Sequence, residues 1–220
     1  MSNNDNIKSK NICFLYTETN GLHELNEDVI KKNLYGFARL VSLNYEIGYL
    51  ENNKFISSIK KRIIIKPRCM FITDESINIH GITNEFAEEN GNDIEEILSN
   101  FMTDLKNVSI IVSHNIIFHI RTVQAECIRY NLPNDFTKFI IIDTINFFHS
   151  YSFPKLKDLY ENICTTDDTK QKAGEKEEEL KKEKKSKKSK TKLNVEPKSN
   201  LELIRLCFFK LYSDYEKSII

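Results

Sequence analysis

"FLYTETNGL", residues 14 to 22, opens as an apolar run and closes on the turn pair Asn20-Gly21, with one carboxylate, Glu18, set between. The run from 11 to 17 suits a buried strand, and Asn-Gly is a strong stop signal. Alternate residues of a strand share a face, so Tyr16 and Glu18 point the same way. A lone carboxylate in this place is either a solvated or capped group, or what remains of an acidic pair. The rest of the sequence decides between the two.

Two extended segments follow, about 35 to 49 and 54 to 66, with "ENN" as the turn between them and Pro67 as the stop. They pair antiparallel. Helical patterning starts near Asn84 and returns at 93 to 106 through Ile94, Ile97, Leu98 and Phe101. "VSIIV" (108 to 112) is a buried strand leading into a helix whose stripe is Ile116, Ile120, Val123 and Cys127. "FIIID" (139 to 143) is the last strand. A short helix around 155 to 162 and a closing helix with Leu201, Ile204, Phe208 and Leu211 inward complete the chain. Three strands in a meander followed by strand and helix alternation predict an α/β fold, a mixed five-stranded sheet with flanking helices.

The 32 basic and 32 acidic residues cancel overall but are segregated. Residues 170 to 192 carry eleven Lys against five Glu, which leaves the rest of the chain near −6. An acidic body repels phosphate backbones, so a broad electrostatic grip on nucleic acid falls to the Lys-rich segment. That segment has no aromatic residue and one large apolar one, Leu180, and cannot offset its ordering entropy. It is expected to be disordered as an insertion over 166 to 192, with residues 1 to 10 a disordered N-terminus. The domain itself then spans 11 to 165 plus 193 to 216. "KKEKKSKKSK" also fits a solvated linker or a nuclear-import address. Five scattered cysteines without a CxxC pair predict buried thiols in a reducing compartment. No apolar run approaches membrane-spanning length, and the polar start lacks the core of a signal peptide. The expected setting is intracellular, cytoplasmic or nuclear, without membrane association or secretion.

Taken in order, the motifs resemble those of the DnaQ-like 3′–5′ exonucleases, which place four acidic ligands on a ribonuclease-H-like fold. That family's opening Asp-x-Glu-x-Thr-Gly-Leu stands here as "YTETNGL", and its "HGIT" is intact at His80 to Thr83 after an extended segment. Its His-Asn-x-x-Phe-Asp stands as "SHNIIFHI" (113 to 120). "IDT" (142 to 144), "PKLKDLYE" (154 to 161) and "LCFFKLY" (206 to 212) are similar to its C-terminal part, most of all to members from giant DNA viruses.

The resemblance implies two divalent ions roughly 3.5 to 4 Å apart, Mg2+ or Mn2+, held by carboxylates that polarise the attacking water. In this chain the four acid positions fall on Tyr16, Glu18, His119 and, by the alignment of the last helix, Asn200; the family's general-base His falls on Val195. Glu18 is the only acid among the four, a ligand for at most a weakly bound metal. A phenol with a reference pKa of about 10 stays neutral near pH 7, and imidazole prefers softer metals than magnesium. Tyr16 and His119 read as packing groups filling the cation volume, or His119 joins Glu18 and His149 in a zinc-like set. Asn200 also reads as a helix cap. Glu202, Asp143 and Glu126 do not replace the missing acids by position. The resemblance further implies that Thr19, Gly21, Leu22, His80, Asn115 and Phe118 line or support a substrate groove. The expectation is an exonuclease-fold protein, catalytically impaired and without a resident cofactor, that binds a single strand or 3′ end, or a protein partner. The alternatives are an active metal-dependent exonuclease and an interaction domain that binds no nucleic acid.

Overall fold

A computed structural model describes residues 10–52, 54–147, 154–164 and 199–218. The segments expected to be disordered, 1 to 10 apart from Lys10 and 166 to 192, lie outside them, as does His149. The chain divides into two compact units, Met1–Asn146 and Phe147–Ile220.

The first unit is built on the expected mixed five-stranded sheet. Strands β1 (Asn11–Thr19), β2 (Leu40–Glu51), β3 (Lys54–Ile64), β4 (Val108–Ser113) and β5 (Ile140–Asp143) stand in the order β3-β2-β1-β4-β5. The meander β1-β2-β3 is antiparallel, while β4 and β5 run parallel to β1. Strand β1 is central, and its unbroken run Ile12 to Leu15 is fully buried. The register of β1 on β2 shifts between Glu18 and Thr19, a bulge of the sort that re-aims side chains at functional edges.

Among the described residues, four α-helices complete this unit: α1 (Asp74–His80), α2 (Asn84–Asn90), α3 (Ile94–Asp104) and α4 (Ile116–Arg129). On α3 the Asp93 carboxylate caps the N-terminus by accepting from the Glu95 and Glu96 amides. The apolar stripes predicted for α3 and α4 are buried in one core with Cys13, Leu15, Leu43 and Tyr45 of the sheet. Three features differ from the sequence expectation. The second strand starts at Leu40, because Leu34–Gly36 forms a 3-10 turn in which Gly36 lies against Leu25 and leaves no room for a Cβ. The residues before His80 are helical, capped by the Thr73 hydroxyl and ended by Gly81 at φ 76. Cys69 is exposed and Cys164 half-buried, whereas Cys13, Cys127 and Cys207 are buried.

The β1–β2 connection is tied to α4 by a buried charge cluster. Glu126, fully buried, accepts from Arg39 Nε at 2.8 Å and from the Leu40 amide at 3.0 Å, and pairs with Arg129 at 3.0 Å. Arg129 Nη2 in turn donates to the Leu34 and Phe37 carbonyls. Glu126 is therefore structural, as its depth along the helix implied.

In the second unit, helices α5 (Leu156–Cys164) and α6 (Asn200–Ser218) pack on each other. Leu201, Ile204 and Phe208 are buried as expected, but Leu211 is half-buried, and Leu203 and Cys207 take inward places. Asn200 does not cap α6: the Ser199 hydroxyl accepts from the Glu202 amide at 3.3 Å, and Asn200 is the exposed first helical residue.

Removing the carboxylate of Glu126 strands two guanidiniums of which less than a fifth is exposed. Glu126→Ala is expected to cost about 3 kcal/mol in urea denaturation. Glu88→Ala, which breaks an exposed pair with Lys66, is expected to cost under about 0.5 kcal/mol.

Candidate functional site

The C-terminal ends of β1, β4 and β5 lie side by side, where ligands of open α/β sheets usually bind. Tyr16, Glu18, Thr19, Gly21 and Leu22 come from β1 and the turn after it. Asn115, Phe118 and His119 come from the start of α4, and His80 from the end of α1.

His119 is 4 % exposed, and both of its ring nitrogens are engaged. Nε2 lies 3.1 Å from the His114 carbonyl, which can only accept, so Nε2 carries the proton. Nδ1 therefore accepts, from the Thr17 amide at 3.1 Å and the Thr17 hydroxyl at 2.8 Å. Burial pushes the imidazole pKa down to about 3, with the charges of His114 and His23 acting the same way and the His114 hydrogen bond opposing. The ring is neutral, and its one lone pair is taken. Tyr16 lies against it, with ring centroids 4.9 Å apart.

Two more histidines brace the same region. His23 Nδ1 accepts from the Ala38 amide at 3.1 Å, Nε2 donates to the Phe118 carbonyl at 3.1 Å, and its ring stacks on Phe118 at 4.4 Å. His80 Nε2 donates to the Thr19 carbonyl at 3.3 Å and Nδ1 accepts from the Ile82 amide at 3.1 Å. Burial lowers the pKa of both. The sequence marked His80 through "HGIT" but gave no signal for His23.

Asn115 occupies the left-handed region at φ 62 and opens α4 without a side-chain cap. The cap comes from β5: Asp143 accepts from the Asn115 and Ile116 amides, each at 2.9 Å, and from Ile145 at 3.0 Å. Asp143 is thus held as a helix cap. Thr19 is buried, its hydroxyl donating to the Gly21 carbonyl at 2.6 Å. Leu22 is 83 % exposed and lines two open clefts of about 730 and 330 Å3, the smaller shared with Asn115 and Phe118. Asn200 belongs to the second unit.

Glu18 stands apart from these braces. Among the described residues, no hydrogen bond or ion pair reaches its half-buried carboxylate. Burial raises its pKa to about 7, and the charge of Arg62 partly opposes the rise. A pair of divalent ions brings four positive charges and needs several anionic oxygens. Around Glu18 stand a neutral phenol and a saturated imidazole, so these residues do not fit such a pair. Among the described residues, no cluster of three or more His, Cys, Asp or Glu is placed to hold a metal ion.

A bulged central strand carrying Glu18, "HGIT" folded back on its end, and "HNIIF" opening the adjoining helix together define a DnaQ-like exonuclease domain. The sequence model of the exonuclease family, RNase T type, matches residues 17–170, and the chain belongs to that family. Among solved structures, the fold is similar to exonuclease I of E. coli with a dT13 oligonucleotide (14 % identity, 62 % of this chain and 28 % of that one, TM-score 0.50). It is similar also to the complex with dA16 (14 %, 63 % and 29 %, TM-score 0.51) and to the apo enzyme (16 %, 62 % and 29 %, TM-score 0.50). The chain spans under a third of their length, and at this identity the likeness concerns the fold alone. No curated protein sequence matches the chain.

The site's charges have opposite pH signatures. For Glu18, whose pKa is raised from 4.5, folding is unhindered below pH 4.5 and the cost of burying the charge grows until about pH 7. Glu18→Gln is therefore expected to match the wild type near pH 4.5 and to exceed it by about 2 kcal/mol above pH 7, after allowance for solvent screening. His119, with its pKa lowered from 6.5 to about 3, contributes stability that is complete above pH 6.5 and lost as the pH falls toward 3. Urea denaturation of both proteins from pH 4 to 8 checks this; a constant difference contradicts it.

Proposed function

We propose that this chain is a catalytically impaired member of the exonuclease family that holds single-stranded nucleic acid, or its 3′ end, beside Glu18 without efficient hydrolysis. The observation that carries the reading is the saturation of His119, whose lone pair is spent on Thr17 where the family pattern has an acid. With Tyr16 and Asn200 at two further acid positions, Glu18 is left as the one carboxylate. Each missing metal carboxylate removes several kcal/mol of transition-state stabilisation. Glu18 alone holds at most one Mg2+ or Mn2+ weakly.

Retained binding is supported by what is still in place around the clefts. Gly21, Leu22, Asn115 and Phe118 line the clefts, and Thr19 and His80 hold the end of β1 beside them by hydrogen bonds. Exonuclease I, of similar fold, is bound to oligonucleotides in two of the structures named above. On this reading, the charged insertion 166 to 192 within the domain adds a salt-sensitive grip on the backbone. The motif style shared with giant DNA virus members belongs to the same reading.

The test is incubation of a 5′-labelled oligo(dT) with the protein in Mg2+ or Mn2+, alongside binding by fluorescence anisotropy. The expected result is binding that weakens steeply with salt and an unshortened strand after hours. Metal-dependent shortening that Glu18→Ala abolishes overturns the impaired reading, and absence of binding overturns the nucleic-acid reading.

A further inference from the structure

The register of the antiparallel strands places three polar side chains in one row across the sheet. Tyr16 of β1 stands opposite Asn44 of β2, and Asn44 stands opposite Arg62 of β3. Directly paired residues share a face, so Arg62 projects from the same face as Tyr16 and Glu18, about 10 Å along the row at ordinary strand spacing. Asn44, between them, is buried and donates to the Ser42 hydroxyl at 2.7 Å, and Ser42 is the residue opposite Glu18. The row is thus fixed at its centre.

Arg62 is exposed and, among the described residues, has no hydrogen-bond or ion-pair partner. Arg39 and Arg129 are bound to Glu126, Arg68 to Asp93 and Glu95, and Arg121 to Asn26. Lys60, two residues earlier on the same face, stands opposite Glu46, whereas Arg62 stands opposite an uncharged residue. Its charge is near enough to Glu18 to draw that carboxyl's pKa back down. A phosphodiester held next to Glu18 needs a positive charge nearby. The residues around Glu18 do not fit a pair of divalent ions, and a cationic side chain can supply the charge in their place. A guanidinium suits the task, since its planar fork matches two phosphate oxygens.

Resting on the reading above, we propose that Arg62 is a phosphate contact on this face of the sheet: its guanidinium takes one phosphate of a bound single strand across the row from Tyr16, beside Glu18. Nothing in the family motifs marks this residue. In the sequence it sits in "IKKRIII", which reads equally well as the solvated face of an edge strand.

The test is anisotropy of a fluorescein-labelled oligo(dT) with the full chain at pH 8 over a series of salt concentrations. Arg62→Ala is expected to weaken binding about tenfold and to reduce the slope of log affinity against log salt by about 0.7, the share of one phosphate on a single strand. Arg62→Lys is expected to recover the slope but not all of the affinity. Arg68→Ala removes an equal charge that already has carboxylate partners and is expected to change the slope by much less. Glu18→Gln is expected to tighten binding, and to do so less in the Arg62→Ala background, because only a phosphate placed by Arg62 feels the Glu18 charge. An Arg62→Ala protein with wild-type affinity and slope overturns the inference and leaves the proposed function standing. A wild type that binds no strand at any salt overturns both.

Discussion

The C-terminal end of β1 is organised by one constraint: His119 has a single lone pair, and the first strand has taken it. The Thr17 amide and hydroxyl both aim at Nδ1, and Nε2 is anchored to the His114 carbonyl at the head of the same helix. This bracket fixes the start of α4 against β1 and keeps the ring uncharged. An aspartate at the same point would have oxygens free to face a cation. The imidazole turns inward instead, and the Tyr16 ring lies tilted against it. On the proposed reading, charge is exchanged for packing at the place where a two-ion mechanism is most demanding.

The same device recurs nearby. His23 and His80 each accept one backbone amide and donate to one backbone carbonyl, which ties the turn after β1 to α4 and to α1. Glu126 and its two arginines anchor the next stretch, and Asp143 caps α4. The end of β1 and the turn after it are therefore held at several points by hydrogen bonds within the protein. Against this background Glu18 stands out as a carboxylate that no hydrogen bond or ion pair reaches among the described residues, and whose burial works against its charge. Such a group costs stability and is typical of functional sites. Family membership and fold describe the scaffold, while the chemistry is set by the few side chains at the end of β1.

Much of the scaffold was legible in the chain. The apolar runs at 11 to 17, 108 to 112 and 139 to 143 became strands; the first two are largely buried, whereas β5 lies at the sheet edge with Ile140 exposed. The stripes on α3 and α4 followed the helical period, and "YTETNGL", "HGIT" and "SHNIIFH" lie at one edge as their order implied. What escaped was set by tertiary contact. Helix α1 is only seven residues long, too short to display a period, and Gly36 is required by Leu25, distant in neither sequence nor effect but invisible as a pattern. Ser199 rather than Asn200 caps α6, a choice made by one residue of chain direction. For His119 the resemblance implied an acid's position, and only the fold shows that both ring nitrogens are engaged. Arg62 was silent because a lysine- and arginine-rich edge strand is ordinary; its row across to Tyr16 exists only once the register is known.

The claim on which this account rests is that the His119 ring is a neutral, fully bonded brace. Nitrogen-15 NMR of its imidazole reads this directly. The account predicts the Nε2–H tautomer from pH 8 down to below pH 5, with resonances that magnesium or manganese in the buffer leaves in place. A ring that takes up a proton near pH 6.5, or an Nδ1 resonance displaced specifically by a divalent ion, would contradict it.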